Sequence, residues 1–209
     1  MKTVISILLV ASCLSSIYST AAAEVSGNVA LQSDYVWRGV SQNSEDPAIQ
    51  GGFDYAHESG IYLGLWGSGV NFNGAESTEI DLYTGWRSEL KSGFGIDIGI
   101  MEYTYHGQNG ASDSDFTEYY GGVTYKGFGV KYSIGDEFDD LFEISYHHDF
   151  DAGIRVSANY ADYHTYQYYT FGISKEFQGV GFDLSYWDTD INNDKLADAK
   201  LVLTISKEF

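Results

Sequence analysis

The sequence is poor in the residues that crosslink a secreted fold or hold a nucleic acid. In 209 residues it has one Cys, one Pro and two Met, and 11 Lys and Arg stand against 30 Asp and Glu, a formal charge of −19. One cysteine can form no internal disulfide. So acidic a surface repels phosphate, which excludes nucleic acid as a partner. Beyond the N-terminus no apolar run is long enough for a membrane-spanning helix. Disorder is excluded too, since 44% of the residues are hydrophobic and 16% aromatic. What the chain has in quantity is 24 Gly, 18 Tyr and 12 Phe, a composition that favours many strands and little helix. The length suits one domain, or two small ones.

Met1-Lys2, the apolar run Val4 to Leu14 and the triplet Ala21-Ala22-Ala23 before Glu24 follow the order of a secretory signal peptide. Val10-Ala11-Ser12-Cys13 offers an alternative, a lipoprotein signal with the lipid on Cys13, but that cysteine falls early and the alanine triplet is the better cleavage site. A cytosolic N-terminal helix would need a polar face, and this segment has none. The expected organisation is a signal peptide over 1–23 and one domain over 24–209, which is 209 less 23, or 186 residues. With Lys2 and Cys13 gone, ten cations face 30 acids, a charge of −20, and thiol chemistry or a Cys-ligated metal is excluded. Such a chain draws its stability from a large core or from a membrane.

From Glu24 onward apolar and polar residues alternate with period two. Phe94, Ile96, Ile98 and Ile100 alternate with Gly95, Asp97 and Gly99, and Val180, Phe182, Leu184 and Tyr186 with Gly181, Asp183 and Ser185. Twelve segments read this way: 25–39, 49–57, 61–72, 78–90, 93–106, 114–125, 127–135, 139–150, 153–163, 166–177, 180–190 and 199–209. In 61–72 the face is ambiguous, because Ile61, Leu63 and Leu65 compete with Tyr62, Trp66 and Val70. At about 10 residues per tilted strand, twelve strands use about 120 residues and leave about six for each connection. Tight Gly-bearing turns such as Lys126-Gly127 and Gln178-Gly179 alternate with longer polar stretches such as Val40 to Ala48 and Asp188 to Asp198. This rhythm predicts an all-β, closed antiparallel transmembrane β-barrel of about 12 strands, a single domain with both termini on the short-turn side. A soluble sandwich or lipocalin-like barrel is the alternative, with the apolar face turned inward. Tyr103, Tyr105, Tyr119, Tyr120, Tyr125, Tyr146, Tyr168, Tyr169, Tyr186 and Trp187, near strand ends, are expected to form aromatic girdles. Leu201, Leu203, Ile205 and Phe209 alternate to a terminal Phe, similar to the assembly signal that outer-membrane barrels present to their insertion machinery.

The stretch Val25-Ser26-Gly27-Asn28-Val29-Ala30-Leu31-Gln32-Ser33-Asp34-Tyr35-Val36-Trp37-Arg38-Gly39-Val40-Ser41-Gln42, followed by Asp46-Pro47-Ala48-Ile49-Gln50-Gly51-Gly52-Phe53-Asp54-Tyr55, closely resembles the TorF family of porin-like proteins of proteobacteria. Glu79-Ile80-Asp81-Leu82-Tyr83, Tyr125 to Ser133 and the terminal Ile-Ser-Lys-Glu-Phe extend the resemblance along the mature chain. It implies a barrel in the cell outer membrane and passive passage of small solutes.

No nucleophile elbow, phosphate loop or zinc motif is present, and no catalytic residue, cofactor or metal ligand is expected. His147 and His148 are adjacent on a strand and point to opposite faces, so they cannot share a metal. An Asp162–His164 hydrolytic pair near a loop tip is weighed against simple solvated loops. The acidic loops read as a solvated surface, with loose Ca²⁺ or Mg²⁺ that would bridge lipopolysaccharide as the alternative. The informative surface is the lumen. Its expected lining is Arg38, Arg87, Lys131, Arg155 and Lys200 against Asp34, Asp54, Glu79, Asp81, Asp97, Glu118, Glu143, Asp149 and Asp183, five cations to nine acids. Opposed charges across a narrow bore set a transverse field in a channel. No insertion looks long enough to plug it. The expected function is passive diffusion of ions or small hydrophilic solutes with a weak cation preference, and its partners are membrane lipid, lipopolysaccharide, assembly machinery and the solutes. The competing readings are a sealed structural barrel and a barrel enzyme.

Overall fold

Alternation gives each strand one face for lipid and one for water, and inside a bilayer every backbone N–H and C=O must find its partner on a neighbouring strand. The computed structural model describes residues 23–72, 75–107, 115–137 and 139–209, so the expected signal peptide lies outside the described residues. The strands are β1 (Glu24–Gln32), β2 (Val36–Trp37), β3 (Val40–Ser41), β4 (Ala48–Ala56), β5 (Ile61–Phe72), β6 (Ala75–Glu89), β7 (Phe94–Gly107) and β8 (Phe116–Tyr125). They continue as β9 (Phe128–Gly135), β10 (Leu141–Asp149), β11 (Ile154–Asp162), β12 (Gln167–Phe177), β13 (Val180–Thr189) and β14 (Lys200–Glu208). Twelve of them, all but β2 and β3, form one closed antiparallel barrel in which each strand pairs with its chain neighbour. The seam is β1 against β14, with Asn28 opposite Glu208 and Gln32 opposite Thr204. Gly27 and Phe209 finish it by exchanging backbone hydrogen bonds of 2.8 and 3.0 Å.

Large apolar side chains stand exposed around the circumference, among them Ile98 at 52%, Phe128 at 59% and Leu201 at 65%. A soluble monomer rarely exposes so continuous a patch, whereas lipid requires one, so the alternation faces outward and the barrel is transmembrane. The ambiguous strand β5 resolves the same way: Ile61, Leu63 and Leu65 face out, while Tyr62, Trp66 and Val70 are buried inside. The tight turns all lie at the end that carries the termini. Lys126-Gly127 and Gln178-Gly179 each take two successive positive φ values, as two-residue turns between twisted strands require.

The first expected strand, 25–39, is corrected. β1 stops at Gln32, and the chain then turns inward and enters the bore as the small hairpin β2–β3. The expectation that no insertion is long enough to plug the bore is corrected with it, because residues 33–47, more than the polar stretch Val40 to Ala48, lie between β1 and β4 and reach across the bore.

A closed hydrogen-bonded barrel resists detergent until heated. Unboiled folded protein is expected to run differently from boiled protein on a denaturing gel, and circular dichroism should show strand with little helix. Ile98→Arg, placed at mid-strand on the lipid face, should destabilise folding into vesicles by roughly 2–4 kcal/mol. Unchanged folding of that variant would contradict the outward face assigned to β7.

Candidate functional site

The hairpin forms because Val36-Trp37 and Val40-Ser41 flank a two-residue turn. Arg38 has φ 52° and Gly39 φ 86°, both positive. A Cβ on Gly39 would collide with Thr189 and crowd Tyr168, so turn geometry and space both require glycine there. Arg38, a long side chain held at positive φ, persists only where its surroundings over-determine it, and they do. Its Nη2 donates to both carboxylate oxygens of Glu118 on β8, at 2.5 and 2.6 Å. Its guanidinium lies 4.1 Å from the centroid of Trp37 and 4.8 Å from that of Tyr163. Its carbonyl accepts from the Tyr166 hydroxyl. Arg38 is left 3% exposed. At the base of the hairpin Asp34 accepts from Ser41 at 2.7 Å and faces Lys200 at 3.5 Å. Burial pushes the Asp34 carboxyl up from its ordinary range, against the Ser41 hydrogen bond and the Lys200 ammonium that hold it down.

Around the hairpin the extracellular half of the bore is filled by aromatic rings. Tyr35 meets Trp66 edge-on at 5.4 Å, Trp37 meets Tyr103 at 5.9 Å, and Tyr103 stacks on Phe116 at 4.2 Å. Below them remains a cavity of about 90 Å³, measured to the centres of water molecules, which is room for several waters. The periplasmic half has a different wall. Tyr62, Tyr83 and Tyr120 lie flat over Gly85, Gly64 and Gly99, where any Cβ would strike the ring above it. The hydroxyls of Tyr83 and Tyr62 donate to Asp54 at 2.5 Å and to Asp97 at 2.6 Å, and Tyr62 also bonds Tyr120. Glycine beneath each ring keeps it off the axis and leaves the lower bore open.

The charges expected in the lumen lie on the inward parity of their strands or, for Asp34 and Arg38, on the inward segment after β1, with Asp149 exposed at the barrel end where its side chain is 57% accessible. The cations do not gather into a basic ring. Arg38 pairs with Glu118, Lys131 with Glu143 at 2.5 Å, Arg155 with Asp149 at 2.6 Å, and Lys200 with Asp34 and Glu45. Arg87 sits opposite Asp97 across β6 and β7 and over the Tyr62 ring at 5.0 Å. Among the described lumen acids Asp54, Glu79, Asp81, Asp97 and Asp183 are left without an ion pair. Glu79 accepts from Tyr105 at 3.4 Å and from Tyr35.

The expected girdles are corrected by half. Tyr103, Tyr105, Tyr168 and Trp187 are buried within the bore, and Tyr120 lies on its wall. Tyr119, Tyr146 and Tyr169 face outward, as do Tyr125, stacked on Phe94, and Tyr186, bonded to Asp188 beside Tyr169. Residues of one parity share one face, so Tyr103 and Tyr105 belong with Asp97, and Trp187 with Asp183. His147 is half-buried and His148 is exposed on the next residue. Asp162 accepts from the backbone N–H of His164 at 2.9 Å, a turn interaction that does not engage the imidazole.

A family profile described as a bacterial protein of unknown function, Gcw_chp, matches residues 17–209. No curated protein matches. The chain is similar in fold to a solved KdgM porin, with a TM-score of 0.60 at 8% identity over 88% of this chain and 98% of that one. A KdgM porin in complex with disordered oligogalacturonate gives a TM-score of 0.58 at 8% identity over the same shares. Outer membrane phospholipase A from Escherichia coli gives 0.48 at 10% identity over 88% of this chain and 89% of that one.

Glu118→Ala would leave the Arg38 guanidinium buried and unpaired, which costs roughly 3 kcal/mol and favours release of the hairpin. Trypsin should spare the Arg38–Gly39 bond of the folded wild type and cut it in the variant, read by mass spectrometry of the fragment that ends at Arg38. Equal protection in both proteins would show that the pair does not hold the hairpin.

Proposed function

Taking as premise that the chain belongs to the Gcw_chp family, a bacterial family without an assigned function, we propose that it is a porin-like channel of the outer membrane. It passes ions or small hydrophilic solutes passively and weakly prefers cations. The observation that carries this reading is a closed barrel whose bore holds five carboxylates, Asp54, Glu79, Asp81, Asp97 and Asp183, beyond those its own cations pair. Low-dielectric walls focus such a field along the bore and concentrate counter-ions. The barrel architecture is one that porins use, and the resemblance of residues 25–42 to the TorF family supports the same reading. Pore-lining roles fall to the charged residues of the bore, with Glu79 and Asp81 dominant because no cation offsets them. Phe209, which closes the seam against Gly27, serves as the assembly signal for the insertion machinery. The acidic loops make a solvated rim, with loosely held divalent ions that bridge lipopolysaccharide as the alternative.

The hairpin favours one second reading, a non-conducting surface barrel, because it crosses the bore and is pinned there. Single-channel recording in a planar bilayer separates the two. Small steps with a cation-selective reversal potential in a salt gradient are expected, with selectivity fading as salt rises past about 0.1 M, where charges more than about 10 Å away are screened. Glu79→Gln/Asp81→Asn should move the reversal potential toward zero, and Glu118→Ala should enlarge the steps. Anion preference would refute the charge argument. Silence in both wild type and Glu118→Ala would establish the sealed barrel.

A further inference from the structure

Asp81 is unlike the other inward carboxylates in its lack of partners. Asp97 accepts from Tyr62, Glu118 from Arg38 and Glu143 from Tyr168. Among the described residues nothing donates to Asp81 and no cation pairs with it, although it is only 5% exposed and its Oδ1 is fully enclosed. The charges that act on it are Glu79 and Glu118, both negative, and the two cations that border the same cavity, Arg38 and Lys131, are each held by a carboxylate of their own, Glu118 and Glu143. Glu79, 1% exposed, is held by the hydroxyls of Tyr105 and Tyr35, but Asp81 is a buried carboxylate with no donor and no counter-charge, which is strongly unfavourable unless something else supplies both.

The surroundings specify what that is. On the same face Asp81 stands between Trp66 of β5 and Tyr103 of β7. The hairpin sets Tyr35 edge-on against Trp66. Asp81 and these three rings border a cavity that the hairpin residues Val36, Trp37 and Arg38 also line. A hard metal ion would need several converging oxygens, and the described residues offer no such group. A quaternary ammonium would suit the rings but bring no N–H to the orphan acceptor. A guanidinium or primary ammonium satisfies everything at once: charge for Asp81 and the neighbouring Glu79, an N–H donor for Asp81 Oδ1, and a cation for the ring faces. The chain already binds one such group in the same bore, for the Arg38 guanidinium is held by Glu118 and by the rings of Trp37 and Tyr163.

We propose that Asp81, supported by Glu79 and flanked by Trp66, Tyr103 and Tyr35, is a lumen binding site for a small organic cation that carries N–H donors, a guanidinium or a primary ammonium. The site rests on the reading of the bore as an acidic aqueous passage, but binding itself requires no conduction. The glycine-lined lower wall provides its access from the periplasmic end.

The test uses the folded full-length mature barrel in detergent, titrated with methylguanidinium, with tetramethylammonium and with potassium chloride, and read by calorimetry and tryptophan fluorescence. One saturable site for methylguanidinium is expected, with tetramethylammonium at least tenfold weaker and potassium not saturating. Asp81→Asn should weaken methylguanidinium at least tenfold and Glu79→Gln by less. Asp81→Asn removes an uncompensated charge and should fold, which the heat-modified gel band checks. As a second readout, methylguanidinium should raise the thermal midpoint of the wild type and not that of Asp81→Asn. Equal binding of the two organic cations, undiminished binding by Asp81→Asn, or no saturable binding to folded wild type would each overturn the site. A cation-selective channel that binds neither probe would overturn the site and spare the channel, and a silent barrel that binds methylguanidinium would do the reverse.

Discussion

Everything in this molecule follows from the need to satisfy its backbone hydrogen bonds without water. In lipid an open sheet edge is untenable, so β1 must find β14 and the sheet must close. Closure divides the side chains into two populations by parity alone. One set meets lipid, and the other is confined to a bore that twelve strands make too wide for ordinary side chains to fill from the wall. Whatever narrows the bore must be carried in by a segment that is not part of the wall. Residues 33–47 do this, and the hairpin they form satisfies its own backbone groups in part by pairing Val36-Trp37 with Val40-Ser41.

That solution transfers the problem to electrostatics. The hairpin brings a cation to the middle of the bore, and a buried cation is tolerable only with a bonded counter-charge. Glu118 supplies it with two short hydrogen bonds, and the aromatic rings exclude water around the pair. The arrangement is a docked contact between a loop and a wall, with no covalent tie, so its equilibrium depends on one ion pair and on the strain kept at Arg38. Barrel closure and hairpin docking are separate events, and the second can fail without the first.

The barrel was legible because its signal is repeated twelve times. Phe94 to Ile100 or Val180 to Tyr186 each give only a short alternation, but their common parity and turn rhythm leave few other folds. The hairpin was hidden by the same periodicity, which runs on through Tyr35-Val36-Trp37 as though β1 continued. The signal that marks it is Arg38-Gly39, the same pattern of any residue and then glycine that makes the turns at Lys126-Gly127 and Gln178-Gly179. In β5 pattern failed for a physical reason: a bore that receives an aromatic hairpin lines itself with aromatics, so both faces read as apolar. The misplaced half of the girdle has that cause too, since tyrosines near strand ends can face lipid headgroups or the filled bore. Parity within each strand separates them, as Tyr168 and Tyr169 show by pointing to opposite sides. The inward side of the wall-strand charges such as Glu79, Asp97 and Glu143 was readable from parity, whereas Asp34 and Arg38 reach the bore on a segment that is no part of a wall strand. The pairing of the lumen charges was not readable, because it depends on register across strands and on a hairpin that crosses to the far wall.

The two halves of the bore differ in a way that gives the molecule a direction. Toward the extracellular end large rings and the hairpin meet across the axis, while toward the periplasm Tyr62, Tyr83 and Tyr120 are held to the wall by glycines with no room for a Cβ. Replacing any of those glycines by a larger residue would lift a ring into the bore, so the lower opening depends on the absence of side chains as much as the upper closure depends on their bulk. Ion pairs follow the same division. Arg38–Glu118 ties the hairpin to the wall, whereas Arg155–Asp149 lies at the periplasmic end within the wall itself. From the end that carries the termini the bore therefore runs along a polar, glycine-backed wall to the unpaired carboxylate of Asp81, which borders the same cavity as Tyr35, Val36, Trp37 and Arg38 of the inward segment. The uncompensated negative charge and the steric barrier therefore meet at one cavity, so the place in the bore most favourable to a cation is also the place where the hairpin would have to yield.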